Sequence, residues 1–215
     1  MEGPDAVEIR VLGCLLEKQQ TTPDAYPLTL NALRLACNQT TSRDPVVDYD
    51  EATVREAAQR LGQRGWARMT SYHGSRAPKY RHLLDDALGI SPDERALLCV
   101  LMLRGPQTLG ELKQRSERLH KFADLRSVEE TLVRLSAREL GRWLERSPGQ
   151  KEARYTHLLE AGPPTPTESA VTAPAAVTSS LDSAATDVAD ELARLRQELD
   201  QLRQEVAALR GQLGE

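Results

Sequence analysis

Lys79-Tyr80-Arg81-His82-Leu83-Leu84-Asp85 and Arg154-Tyr155-Thr156-His157-Leu158-Leu159-Glu160 are two versions of one segment, set 75 positions apart. A repeat of that length exceeds the 20 to 50 residues of a solenoid unit. Each copy is therefore expected to be a small domain with its own core. Working backward, Val54, Ala58 and Leu61 align with Val128, Leu132 and Leu135 at a constant offset of 74. Both triplets have the i, i+4, i+7 spacing of a buried helical stripe, which predicts a third helix in each copy. Leu30 and Leu33 align with Leu109 and Leu112, and Glu8, Val11, Leu12 and Leu15 with Glu94, Leu97, Leu98 and Leu101, supplying helices two and one.

Start signals support the same helices. Ser91-Pro92-Asp93-Glu94 joins an N-cap serine, a first-turn proline and a glutamate three residues on, and Asp48 to Glu51 has the same spacing. After helix three each copy has a strand-like segment, Trp66 to Tyr72 and Arg142 to Arg146, then a turn at Gly74 or Pro148-Gly149, then the Tyr-x-His strand. Three helices followed by a two-stranded hairpin predict a winged helix, with helices two and three as a helix-turn-helix and the hairpin as the wing. The expected fold class is mainly α with small β-hairpins. Its domains are winged helices over 1–86 and 87–160, a disordered linker over 161–180 and a coiled-coil helix over 181–215. Asn38 to Val47 makes the connection before helix three about five residues longer in copy one, which excludes a tight four-residue turn there.

The runs Arg10-Val-Leu-Gly-Cys-Leu-Leu-Glu-Lys-Gln19, Tyr26-Pro-Leu-Thr-Leu-Asn31, Ala36-Cys-Asn-Gln39, Arg43-Asp-Pro45, Leu103-Arg-Gly-Pro-Gln-Thr108 and Gly149-Gln-Lys-Glu-Ala-Arg-Tyr155 closely resemble the YceH family of bacterial proteins over roughly residues 7 to 160. The resemblance implies a cytoplasmic tandem winged-helix fold. It implies no settled biochemical activity, and it does not reach the tail.

Composition narrows the function classes. Residues 1–86 hold 11 basic and 12 acidic side chains, 87–160 hold 13 and 11, and 161–215 hold 4 and 9, so the overall acidity resides in the tail. No apolar run approaches the roughly 20 residues that span a bilayer, and the N-terminus lacks a signal pattern, which points to the cytoplasm. Cys14, Cys37 and Cys99 are odd in number, widely spaced and set in apolar helical surroundings, so they read as buried thiols. His73, His82, His120 and His157 are scattered, and His82 and His157 occupy equivalent hairpin positions where a structural role fits. No motif of a hydrolase, zincin, P-loop or dinucleotide site occurs, and no metal or cofactor site is expected. Thr21-Thr22-Pro23 and Asn38-Gln39 suit turns and helix ends, with a ligand contact as the alternative.

The sharpest functional signal is charge. From Ala57 to Leu84 lie six basic residues, Arg60, Arg64, Arg68, Arg76, Lys79 and Arg81, and no acidic one. That stretch is the end of helix three plus the wing, the elements that a winged helix lays on DNA. With Val54, Ala58 and Leu61 inward, Glu56, Gln59, Arg60 and Gln63 turn outward with Arg55 at the flank. Gln and Arg read adenine and guanine edges, whereas Glu56 opposes phosphate. The nucleic-acid-binding residues expected are Arg55, Gln59, Arg60, Gln63, Arg64, Arg76, Lys79 and Arg81. In copy two the same rotation exposes Glu130, Val133, Arg134 and Ala137, a face better suited to a protein. The chain is thus expected to be a non-enzymatic DNA-binding regulator or architectural factor; the alternative is a protein-interaction scaffold without nucleic-acid binding.

In the tail, Val188, Leu192, Leu195, Leu199, Leu202, Val206, Leu209 and Leu213 alternate four and three residues apart, as in a coiled-coil seam. Glu191, Glu198 and Glu205 at g would meet Arg196, Arg203 and Arg210 at e of a parallel partner, which favours a parallel homo-oligomer.

Overall fold

The computed structural model describes residues 3–71, 77–145 and 152–160. The linker and coiled-coil expectations, Arg76 and both hairpin turns lie outside the described residues. Within them the chain is mixed helix and small antiparallel sheet. Helix α1 spans Ala6–Thr21, α2 Leu30–Cys37 and α3 Glu51–Gln63, followed by strands β2 (Ala67–Thr70) and β3 (Lys79–His82). A short helix α4, Leu84–Leu88, leads into copy two: α5 Pro92–Arg104, α6 Leu109–Ser116, α7 Leu125–Ala137, β4 Gly141–Leu144 and β5 Arg154–His157. The helices and hairpins of the repeat are thus where the periodicity puts them.

Two details differ from the sequence reading. A two-residue strand β1, Leu28–Thr29, joins the first hairpin to give the order β1-β3-β2, with Leu28 opposite Tyr80. Its counterpart in copy two is the single bridge Gln107 to Tyr155. Strands this short carry no period-2 signal, so the sequence could not show them. The second difference is the start of α3, whose N-cap is Asp50, accepting the Thr53 amide at 2.7 Å, rather than Asp48. Asp48 is used instead by Asn38, whose Nδ2 donates to its carboxylate at 3.2 Å.

Helices α1 and α5 are buried on nearly every side: Glu8 to Glu17 in one, Ala96 to Leu103 in the other. Such all-round burial requires neighbours on both flanks, and each helix finds them in its own copy and in the other. Gly13 and Cys99, related by the offset that also relates Glu8 to Glu94, meet at this crossing, where Cys99 Sγ donates to the Gly13 carbonyl at 3.4 Å. A Cβ on Gly13 would lie 2.9 Å from Leu103 Cδ2, so glycine is what lets the helices approach. The apolar core consequently runs without a break from Ile9 to Leu159, shared by both copies. Cys14, Cys37 and Cys99 are buried free thiols within it.

The connection before helix three runs from Asn38 to Asp50 in copy one and from Glu117 to Asp124 in copy two, five residues fewer. The longer one is pinned by buried polar groups. Arg10 Nη2 donates to the Pro45 carbonyl at 2.6 Å and Arg43 Nε to the Ala36 carbonyl at 3.1 Å, satisfying carbonyls that a helix end and a loop would otherwise bury unpaired. Asn38 bridges to Tyr49, donating to its carbonyl at 2.8 Å and accepting its amide at 2.9 Å. The Asp44 amide donates to the Leu103 carbonyl at 2.8 Å, so the extra residues of copy one lean on the end of α5. Thr21 and Thr22 donate to the carbonyls of Glu17 and Lys18 at 3.0 and 3.2 Å, closing α1. Both distinctive motifs therefore have structural uses.

His82 and His157 lie at matching hairpin positions, His82 facing Ala67 and His157 facing Gly141 across the strands. His82 Nε2 is 2.6 Å from Gln19 Oε1, while the Nδ1 atoms of both rings are buried without a hydrogen-bond partner among the described residues. Burial pushes both imidazoles down to about 4. In the unfolded chain each takes a proton near 6.5, so as pH falls from about 7 toward 4 the unfolded state binds protons that the fold refuses. Stability is therefore expected to be full above pH 7 and to decline on acidification through that window. Urea midpoints against pH, with histidine resonances followed by NMR, check this; two imidazoles that titrate near 6.5 in the folded chain contradict it.

Candidate nucleic-acid interface

Helix α3 buries Val54, Ala57, Ala58 and Leu61 against α1 and α2. Its opposite stripe exposes Arg55, Gln59 and Gln63, four residues apart, with Glu56 beside them. Arg55 has a long, exposed contact with Glu51 at 3.9 Å, which leaves its guanidinium largely available.

Arg60 and Arg64 sit differently. Arg60 Nη2 is 2.7 Å from Asp5 and its Nε 3.4 Å from Glu8; Arg64 Nε is 3.1 Å from Glu8 and its Nη2 donates to the Gly3 carbonyl at 3.0 Å. Glu8 is itself buried and closes the capping box of α1 by accepting the Asp5 amide at 3.1 Å. Two guanidiniums thus neutralise one buried carboxylate and fasten α3 to the start of α1. The same device recurs in copy two. Glu94 is buried, accepts the Ser91 amide at 3.0 Å, and lies 2.9 Å from Arg138 and 3.8 Å from Arg134, which also pairs with Asp93. Arg60 and Arg64 are therefore engaged inside the protein and stand apart from the other expected contact residues. A sequence signal for this existed: Arg60 with Arg134 and Arg64 with Arg138 keep the offset of 74 that relates the core positions.

The hairpin strands present their cations differently. Arg68 lies directly opposite Arg81 and Thr70 opposite Lys79, and directly opposed residues point to one face. Arg68, Lys79 and Arg81 thus share the face that leaves Tyr80 and His82 to the core. Among the described residues none of these three cations has an ion-pair partner. Like charges directly across a strand pair are locally unfavourable, so the fold itself gains nothing from placing Arg68 against Arg81. Copy two puts Arg142 opposite Thr156 and Leu144 opposite Arg154, and Arg154 is paired with Glu111 at 3.3 Å. It also exposes Val133 on α7 and Trp143 on β4. The two copies share a scaffold and differ in what they present.

Comparison with known proteins gives the kinship. Residues 5–150 match the family model described as protein of unknown function, DUF480. The chain belongs to this family. It is 51% identical over 159 residues to a UPF0502 protein of Geobacter sulfurreducens, covering 73% of this chain and 72% of that one. It is 53% identical over 154 residues to one of Pelobacter propionicus, covering 71% and 70%, and 50% identical over 155 residues to one of Stenotrophomonas maltophilia, covering 72% and 70%. The family match ends before the tail and takes in the α1 to α3 unit, the first hairpin and most of copy two. Among the described residues no helix is long and apolar enough to cross a membrane, and no cluster of three His, Cys, Asp or Glu side chains could hold a metal ion.

Proposed function

We propose that the two copies are tandem winged helices, in the manner of the YceH proteins, and that copy one binds DNA as a non-enzymatic, cytoplasmic regulatory or architectural factor. The observation that supports this reading is the hairpin face of Arg68, Lys79 and Arg81, three cations without an ion-pair partner among the described residues. A phosphate backbone would supply the missing counter-charge and relieve the Arg68 to Arg81 opposition. Arg55, Gln59 and Gln63 on α3 are the side chains with hydrogen-bonding chemistry for base edges, and Arg76, outside the described residues, is proposed as a further phosphate contact. The clamp of Glu8 on Arg60 and Arg64 sets the angle at which that α3 face is offered. In this proposal Leu192, Leu195, Leu199, Leu202, Val206 and Leu209 pair the tails of two chains in parallel, bringing two such faces to one duplex.

Fluorescence anisotropy of the full chain on a mixed-sequence duplex, at several salt concentrations, tests the reading. The combined Arg68→Ala, Lys79→Ala and Arg81→Ala changes are expected to lower affinity and to flatten the logarithmic salt slope by about 2 to 3, one unit or slightly less per lost phosphate contact. Arg60→Ala is expected to lower thermal stability more than DNA affinity. A wild-type chain that fails to bind, or a triple variant that binds as well, removes the proposal.

A second reading has its own observation. Val133 is 58% and Trp143 39% exposed in copy two, large apolar side chains left partly open to solvent. They favour a protein partner for that copy, and if copy one binds no nucleic acid the whole chain would serve as an interaction scaffold.

A further inference from the structure

We propose that the cavity between the two copies, walled by the end of α1, the long connection of copy one, α5 and α6, binds a small organic phosphate. The cavity holds about 340 Å³, within the range of small-ligand sites and larger than a bare phosphate fills. Three arginines line it, Arg104, Arg115 and Arg118, against a single acidic residue, Glu17. That carboxylate is already spent: Arg43 holds both its oxygens, at 3.1 and 2.6 Å, and Lys18 stands 3.6 Å away. Arg115 is partly compensated by Glu111 at 3.2 Å, which Arg154 also shares. The guanidiniums of Arg104 and Arg118 have no ion pair or hydrogen bond among the described residues. Burial, together with the charges of Arg115 and Arg43, pushes Arg104 below its ordinary value, as befits a cation held among cations.

A cluster of forked donors around a half-open cleft suits an anion with several acceptor oxygens, and phosphate has the geometry that guanidiniums engage two bonds at a time. Val100, Leu103 and Leu119 form an apolar side to the same space, which suits the organic part of the ligand rather than a second phosphate. The residues come from both copies, so occupancy would bridge α1 and the long connection to α5 and α6. The site involves none of the hairpin residues assigned to DNA.

Isothermal calorimetry and thermal unfolding of the full chain, with AMP, glucose 6-phosphate and pyrophosphate as probes and adenosine and glucose as uncharged controls, test the proposal. At least one organic phosphate is expected to bind and raise the unfolding temperature, while adenosine and glucose do neither. Arg104→Ala combined with Arg118→Ala is expected to weaken that binding by about tenfold or more. Arg118→Glu, a change at an exposed side chain, gives an independent check should the double variant fold poorly. The hairpin triple variant is expected to bind the phosphate as the wild type does, which separates this site from the DNA reading. Absence of binding by every phosphate probe, or binding that survives both cavity variants, overturns it.

Discussion

Arg43→Ala is expected to destabilise the chain by about 3–5 kcal/mol, the cost of leaving a buried charge without its partner. The Arg43 side chain is fully buried and donates five hydrogen bonds: to Glu17 Oε1 and Oε2 at 3.1 and 2.6 Å, to the carbonyls of Ala36 and Ser42 at 3.1 and 2.9 Å, and to Gln39 Oε1 at 3.0 Å. Truncation abandons all of these acceptors, of which the Ala36 carbonyl and the Glu17 carboxylate are the most deeply placed. Burial by itself raises the Glu17 carboxyl, but the hydrogen bonds and charge of Arg43 outweigh it and hold the group below its ordinary range. A depressed carboxylate contributes stability above its unfolded value and loses it as pH falls through the folded one. The penalty of Arg43→Ala should therefore shrink as the medium is acidified below the usual glutamate range, because the orphaned Glu17 can then take a proton. Glu17→Gln in the Arg43→Ala background should recover part of the loss at neutral pH. Urea unfolding of the four proteins of this cycle at neutral and acidic pH measures both effects. Equal penalties at the two pH values, with no recovery in the double variant, would mean that Arg43 acts through packing alone.

Much of the fold was legible because duplication supplies its own control. A stripe such as Val54, Ala58, Leu61 is weak evidence alone, but its recurrence as Val128, Leu132, Leu135 makes an accident improbable, and α3 and α7 follow. What single stripes could not reveal is that α1 and α5 are apolar on both sides because they pack against each other. The repeat marks one stripe on each helix, Val11, Leu12 and Leu15 against Leu97, Leu98 and Leu101, while Ile9, Gly13, Cys14 and Leu16 add burial on other sides of α1. A separate core for each copy was the natural inference from length; a shared one needs the Gly13 to Cys99 crossing, which is a fact of three dimensions.

The exposure of Arg55, Gln59 and Gln63 on α3 was legible in the sequence; the internal pairing of Arg60 and Arg64 was not. A helical wheel assigns a direction to Cα–Cβ bonds, and it correctly turns Arg60 away from the apolar stripe. An arginine, however, reaches far beyond its Cβ, and Arg60 and Arg64 bend back to a carboxylate that sequence places more than fifty residues earlier. The hairpin arginines have no such option, since the strand holds Arg68 and Arg81 on the outer face and no acidic residue neighbours them in the sheet. Counting basic residues along the chain weighs all six alike; the sheet register and the α1 capping box separate them. That division also gives each group a distinct experimental signature, stability for Arg60 and Arg64, salt-dependent affinity for Arg68, Lys79 and Arg81.

Gly141→Ala tests the packing of the repeated Tyr-x-His strand. An alanine Cβ there would stand 2.4 Å from Tyr155 Cε1, 2.7 Å from its hydroxyl oxygen and 2.8 Å from the Thr156 carbonyl oxygen. The ring cannot yield cheaply. Tyr155 is fully buried, its hydroxyl donates to the Leu132 carbonyl at 3.0 Å and lies 3.0 Å from Ser136 Oγ, and Trp143 stacks edge-on at 5.3 Å between centroids. Overpacking together with the lost hydrogen bond is expected to cost roughly 3 kcal/mol, or about 6–12 °C of unfolding temperature for a unit of this size. The equivalent position in copy one is Ala67, opposite His82, which already carries a Cβ beside Tyr80. Ala67→Gly should accordingly cost only about 1 kcal/mol or less, the backbone-entropy term. Tyr155→Leu removes the clashing atoms, so its combination with Gly141→Ala should be less damaging than the sum of the single changes. Thermal and urea unfolding of the set decide the matter: strict additivity would show that Tyr155 does not dictate glycine at 141.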